Sequence, residues 1–196
     1  MLEKLEKIAR RSFLCGAAGI LAGASSLRAD ARSVSLPKQF QNLDHERFMR
    51  LAIEQANKVP ACPFGAVVVN AKSGKLVAEG WVKADKNPIW HGEMTAIYNC
   101  PEEGEAFNWQ DACLYTTGES CPMCQAAIVW TKMPLVVYGS SIPFLQKCKF
   151  GQINIRAQKI VDAALFDYGN CTIIGGVLEN ECNALFERAK LLAGQS

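Results

Sequence analysis

Two short stretches carry residue types suited to metal chemistry: Trp90-His91-Gly92-Glu93 and Glu119-Ser120-Cys121-Pro122-Met123-Cys124. Zn2+ favours imidazole and thiolate ligands in a tetrahedron. A Cys-x-x-Cys at a helix start brings both sulfurs to one point, and the dipole and free N–H groups there favour thiolates. His91, also at a predicted helix start, supplies a third ligand, and no fourth is apparent nearby. Three protein ligands leave a position for water, which separates a catalytic zinc from a structural one. The metal lowers the pKa of that water toward neutrality. Glu93 is placed to take the proton and pass it to a substrate nitrogen. Alone, Cys-x-x-Cys also suits a redox pair, a structural site or two core thiols. With His-x-Glu, each opening a helix and separated by one strand, it points to a catalytic metal. Of the two histidines, His45 falls in a first helical turn and reads as exposed or capping.

These residues need a frame. Asp44 can cap a helix running to about Lys58, with Phe48, Leu51, Ala52 and Ala56 on one face. Pro60 and Pro63 end it. Residues 66–69 are a β-branched run, 72–75 a turn and 76–81 a second strand, together a hairpin. A helix begins near His91 and reaches about 100. A strand over 112–116 leads to a helix from Pro122 to Trp130, where proline suits the first turn. A strand over 135–138, a helix over 152–167, a strand over 171–174 and a closing helix over 179–192 follow. This order predicts an α/β fold, a three-layer α-β-α sandwich around a mixed sheet. The long helical link between the last two strands predicts that they are parallel.

The 196-residue chain has a hydrophobic fraction of 49%, enough for one ordinary core. Residues 1–29 hold Lys4, Lys7, Arg10, Arg11 and Arg28 against Glu3 and Glu6, which leaves the body close to neutral. A near-neutral body lacks the footprint of a protein that grips nucleic acid, so nucleic acid is not an expected partner. A basic stretch followed by the small, apolar residues 12–27 resembles an export signal, and Arg10-Arg11-Ser12-Phe13-Leu14 resembles the twin-arginine type. The apolar run is short of the roughly 20 residues of a span, so no membrane span is expected in the mature chain. The expected division is a signal segment over 1–29, a linker over 30–43 and a catalytic domain over 44–196. Export implies a periplasmic location; an uncleaved anchor or a cytoplasmic location is the alternative. The nine cysteines are irregularly spaced, unlike a small disulfide scaffold.

From about residue 44 to 189 the chain resembles the cytidine deaminase-like superfamily, in the branch of guanine deaminases and tRNA adenosine deaminases. The resemblance rests on Pro63-Phe64-Gly65-Ala66-Val67-Val68-Val69, Glu79-Gly80-Trp81, Asn87-Pro88, His91-x-Glu93, Leu114-Tyr115-Thr116-Thr117, Cys121-x-Met123-Cys124 and Val177-Leu178-x-x-Glu181-Cys182, in family order. His-x-Glu with Pro-Cys-x-x-Cys is the signature of zinc nucleobase deaminases. The resemblance implies a five-stranded sheet, usually in a homodimer. It also implies Zn2+ on His91, Cys121 and Cys124, with Glu93 as proton shuttle. The implied reaction is attack of metal-activated water on an amidine-type carbon, with loss of ammonia.

The chain departs from the family pattern in places. Ser120 replaces the usual Pro, Gly92 the usual Ala, and Trp90 a smaller residue. Val82 stands where purine deaminases carry an Asn that bonds the base. Expected substrate contacts are Phe64 and Ala66 at the pocket floor, Trp90 stacking on a flat ring, and Asn154 in place of an acidic base contact. The substrate expected is a small heterocyclic amine, a free nucleobase or nucleoside with guanine-like purines first. The alternatives are a tRNA adenosine deaminase and a non-catalytic zinc-binding protein of the same fold; the retained Glu93 counts against the last.

Overall fold

The computed structural model describes residues 38–104 and 106–194. The expected signal segment, the first part of the expected linker and Cys15 lie outside the described residues. Within 38–43, a helical turn, α1 (Lys38–Gln41), plants Phe40 fully buried in the core. The packed structure therefore starts before the predicted helix cap at Asp44. That cap forms as read, with the Asp44 carboxylate accepting the Arg47 N–H at 3.0 Å, and α2 runs His45–Ala56.

The strands β1 (Gly65–Asn70) and β2 (Lys75–Trp81) make the predicted hairpin. Then come α3 (Gly92–Tyr98), β3 (Ala112–Gly118), α4 (Pro122–Trp130) and β4 (Leu135–Ser140). The chain closes with α5 (Ile142–Lys147), α6 (Ala157–Ala163), β5 (Thr172–Gly175) and α7 (Glu179–Ala193). The five strands form one sheet in the order β2-β1-β3-β4-β5. β1 is antiparallel to β2 and to β3, whereas β3, β4 and β5 run parallel. The mixed sheet and the parallel last pair are as the sequence predicts.

Strand alternation divides the core into two layers. Ala66, Val68, Ala112, Leu114 and Val136 face Ala96 of α3, Ile128 of α4 and Val161 of α6. Val67, Val69, Cys113, Tyr115 and Val137 face Phe48, Met49 and Ala52 of α2 and Cys182 of α7. A third cluster joins Leu145, Cys148 and Phe186 to Phe64, Phe144 and Phe150. Every residue of β3 is buried, as suits a central strand covered on both faces.

Two elements differ from the sequence reading. The helix expected over 152–167 is only α6, followed by a 3-10 turn at Phe166–Gly169. The unpredicted α5 begins at Ile142, with a proline in its first turn. One group explains both starts, because Glu119 accepts the first N–H of each helix, Ile142 at 2.9 Å and Ala157 at 3.0 Å. Among the described residues no helix is long and apolar enough to cross a membrane. None of the eight cysteines there is disulfide-bonded.

His45 is neither fully exposed nor a cap; its Nδ1 lies 2.9 Å from the hydroxyl of buried Tyr115. Burial lowers the His45 pKa from 6.5, against a smaller opposing pull from Asp44. A neutral ring accepts the phenolic proton at Nδ1, and an imidazolium cannot. Between the lowered folded value and 6.5 the unfolded chain binds more protons, so stability rises with pH there and is lost on acidification. Solvent reaching part of the ring limits the gain to roughly half a kcal/mol. His45→Gln is expected to flatten the melting-temperature profile between pH 5 and 7 by that amount. A profile parallel to that of the wild type would remove this role.

Candidate functional site

Both sequence motifs lie at helix starts, the second directly after β3 and the first after a loop that follows β2. His91 is the N-cap of α3, with extended backbone (φ −69°, ψ 167°), and Cys121 is the N-cap of α4 (φ −64°, ψ 164°). Neither side chain makes a capping hydrogen bond. Each gives up the usual service of an N-cap, worth about 1 kcal/mol, and turns toward the other instead. Cys121 Sγ lies 3.6 Å from His91 Nδ1 and 3.6 Å from Cys124 Sγ, and Cys124 Sγ lies 3.7 Å from His91 Nδ1.

That triangle tests the site for zinc. Two sulfurs at about 2.3 Å and a nitrogen at about 2.0–2.1 Å from one tetrahedral centre stand about 3.5–3.8 Å apart. The three atoms fit this spacing, and among the described residues these three form the one cluster suited to a metal ion. The two sulfurs lie within hydrogen-bonding reach of each other; that contact lowers the Cys121 pKa to about 4, while the same contact and burial push Cys124 upward. The thiolate at Cys121 in turn raises the His91 pKa.

Glu93 follows in the first turn of α3, only 3% exposed. Burial, then the Cys121 charge, raise its carboxyl pKa. A carboxyl shifted toward neutrality beside a metal position suits a group that both takes and gives a proton.

Glycines bring α3 this close. A Cβ at Gly80 would stand 2.2 Å from the Ala96 N, and one at Gly92 would stand 2.8 Å from the Phe64 carbonyl oxygen. The family's usual Ala at position 92 therefore does not fit this chain without retracting the helix start that carries His91 and Glu93. Gly92→Ala is expected to lower stability by about 1–3 kcal/mol and kcat/KM by about tenfold, with zinc content unchanged. Wild-type kinetics in that variant would show that the helix has room to spare.

The triad opens on a cavity of 180 Å3 lined by Cys62, Phe64, Val82, Ala84, His91, Glu93, Glu119, Cys121, Phe150, Gly151 and Gln152. Larger surface hollows of 530 and 330 Å3 around Trp130 share none of these residues. Of the substrate contacts expected from sequence, Phe64 lines the cavity. It meets Phe150 edge-on at 5.6 Å, and both rest on Phe186 of α7. Ala66 does not line it; it is fully buried in the core against Ala96 of α3. Trp90 is also absent from the wall. It precedes an extended residue, so its ring leaves on the other side from His91, 36% exposed and stacked on Tyr98 at 6.5 Å. Asn154 is exposed, and its Oδ1 accepts from Gln146 at 3.3 Å.

Glu119 is one of the wall residues not expected from sequence, with Phe150 and Gln152 among the others. It is 3% exposed. Arg156 Nε donates to its two oxygens at 2.7 and 2.8 Å, beside the two helix N–H groups it accepts. The same Arg156 reaches the Tyr138 hydroxyl at 3.1 Å. A lone acid between a fully buried strand and the first metal cysteine was the available signal.

Comparison with known proteins agrees with this geometry. Residues 43–140 match the profile described as the cytidine and deoxycytidylate deaminase zinc-binding region. A guanine deaminase of Bacillus subtilis is 38% identical over 104 residues, which cover 50% of this chain and 65% of that enzyme. A tRNA-specific adenosine deaminase of Haemophilus influenzae is 31% identical over 145 residues, covering 70% of this chain and 78% of that one. The structure of a guanine deaminase from Nitrosomonas europaea shares the fold, with a TM-score of 0.63, 21% identity and coverage of 83% and 97% of the two chains. With its metal triangle and buried glutamate in the matched region, the chain belongs to the cytidine and deoxycytidylate deaminase family of zinc-dependent hydrolytic deaminases.

Proposed function

We propose that the chain deaminates a free nucleobase, a guanine-like purine first, releasing ammonia. The observation that carries this reading is the 180 Å3 cavity that opens directly on His91, Cys121 and Glu93 between apolar walls. It is smaller than the about 300–1,000 Å3 of ordinary ligand pockets, which favours a flat ring over a nucleotide. The guanine deaminase relative supports it, as does a structural neighbour in complex with 2,6-diaminopurine. The export signal read over residues 1–29 also suits a free heterocycle better than a tRNA.

His91, Cys121 and Cys124 would hold Zn2+. Bound there, the metal supplies Lewis acidity that makes water a nucleophile near neutral pH. Glu93 takes one proton from the attacking water and delivers it to the ring nitrogen, then carries the second, from the hydroxyl now on the ring carbon, to the amine, which departs as ammonia while the carbonyl forms. Its burial keeps bulk water from competing for those protons. Phe64, Val82 and Phe150 confine the ring to the plane the attack requires.

The test is ammonia release by the zinc-loaded chain over guanine, adenine, guanosine, adenosine, cytosine, cytidine and an anticodon stem-loop bearing adenosine. Release from guanine or a close analogue alone is expected. Release from the stem-loop alone would overturn the free-base reading for tRNA adenosine deamination, the reading favoured by the Haemophilus relative. No release from any of them would overturn both.

A further inference from the structure

We infer that Gln152 reads the hydrogen-bonding edge of the substrate ring. This rests on the nucleobase reading above and names the residue that would select the base. Few polar side chains line the cavity, and most have a task. His91 and Cys121 face each other at 3.6 Å across the metal position. Glu93 is committed to the reacting atoms. Both oxygens of Glu119 are taken by Arg156, Ile142 and Ala157. Phe64, Val82, Ala84, Phe150 and Gly151 bring no polar side-chain group, and Cys62 brings only a thiol, a weak donor and acceptor.

Gln152 remains. Its Oε1 is buried and has no hydrogen-bond partner. A buried oxygen left unpaired is costly and no hydrogen bond to it holds the amide in place, so a ligand that draws the amide round to the cavity and pairs with it is favoured beyond its contact area. A primary amide presents an acceptor and donors side by side. It matches, two-pointed, a ring N–H beside a carbonyl, or a ring nitrogen beside an amino group. Amino- and oxo-purines carry such edges, and unsubstituted purine carries no exocyclic group to make one. Rotating the amide by half a turn exchanges donor and acceptor, so one residue serves both kinds of edge. The wall segment is held on both sides. Lys149 takes a left-handed turn (φ 64°) at the end of α5, Phe150 is wedged against Phe64 and Phe186, and Arg156 is tied to Glu119. The amide therefore sits on an anchored stretch of backbone.

The test titrates the zinc-loaded full chain and its Gln152→Leu variant with 8-azaguanine, 2,6-diaminopurine and unsubstituted purine by calorimetry. Steady-state ammonia release from guanine is followed alongside. Gln152→Leu is expected to weaken 8-azaguanine and 2,6-diaminopurine by about 10- to 100-fold. Unsubstituted purine should change by less than about twofold, and KM for guanine should rise with kcat nearly constant. Gln152→Asn, which keeps the amide on a shorter stem, should fall between. Equal affinity of wild type and Gln152→Leu for 8-azaguanine overturns this assignment and leaves the nucleobase reading standing. Equal weakening of all three ligands also overturns it, because it marks a collapsed wall rather than a lost contact. A wild-type chain that binds none of them overturns the nucleobase reading and this inference together.

Discussion

Glu93→Gln is expected to cut ammonia release by about 100- to 10,000-fold while zinc stays near one equivalent. The amide keeps the shape and volume of the carboxyl, so the start of α3 and the metal triangle have no reason to move. What is lost is the ability to accept a proton from water and return it to a nitrogen, a step worth about that factor. Because the carboxyl is buried, no solvent base reaches in to replace it. Activity and bound metal, measured on the same preparation, check this. A variant within tenfold of wild type would take Glu93 out of the proton path, and a variant stripped of zinc would recast it as a support for the metal.

Glu119→Ala is expected to cost more stability than any other surface-to-core contact described above. It removes the Arg156 pair and leaves the N–H groups of Ile142 and Ala157 without an acceptor. Arg156 is 47% exposed and can return to water, but each buried amide loses its partner at about 1–3 kcal/mol. The sum is about 3–4 kcal/mol, or roughly 10 °C in melting temperature. Glu119→Gln, which keeps one acceptor oxygen, should lose about half as much. Thermal melts with and without zinc check this. A loss below about 1 kcal/mol would mean that α5 and α6 find other caps.

The metal residues were legible because their signals are short-ranged. His91 and Glu93 are two apart and Cys121 and Cys124 three apart, and each pair opens a helix readable from its own neighbours. The hairpin, the strands and the helices α2, α3, α4 and α7 were legible for the same reason: period, caps and prolines are local. The short α1 and α5 were not, because four and six residues are too few for a period to show. The cavity wall was not. Gln152 and Phe150 stand where they do because Glu119 reaches Arg156, 37 residues away, and because Phe186 of the last helix backs Phe64 and Phe150. No local pattern encodes such contacts. Trp90 and Ala66 show a related limit. Both lie close to the site along the chain, but Trp90, one step before the extended His91, turns its ring away from it, and Ala66 is spent in the core against α3. Gly92 is the reverse case. The sequence shows only that it replaces alanine, and the distance to the Phe64 carbonyl shows that α3 packs too tightly for a methyl group.

The aromatic trio of Phe64, Phe150 and Phe186 also separates the two halves of the site along the chain. The three metal-binding residues fall within one stretch, from His91 to Cys124. The wall draws on Phe64 before that stretch and Phe150 after it, and both rest on Phe186 of the last helix. The groups that attack are thus written in one passage of sequence, whereas the chamber that chooses what is attacked is gathered from either side of it.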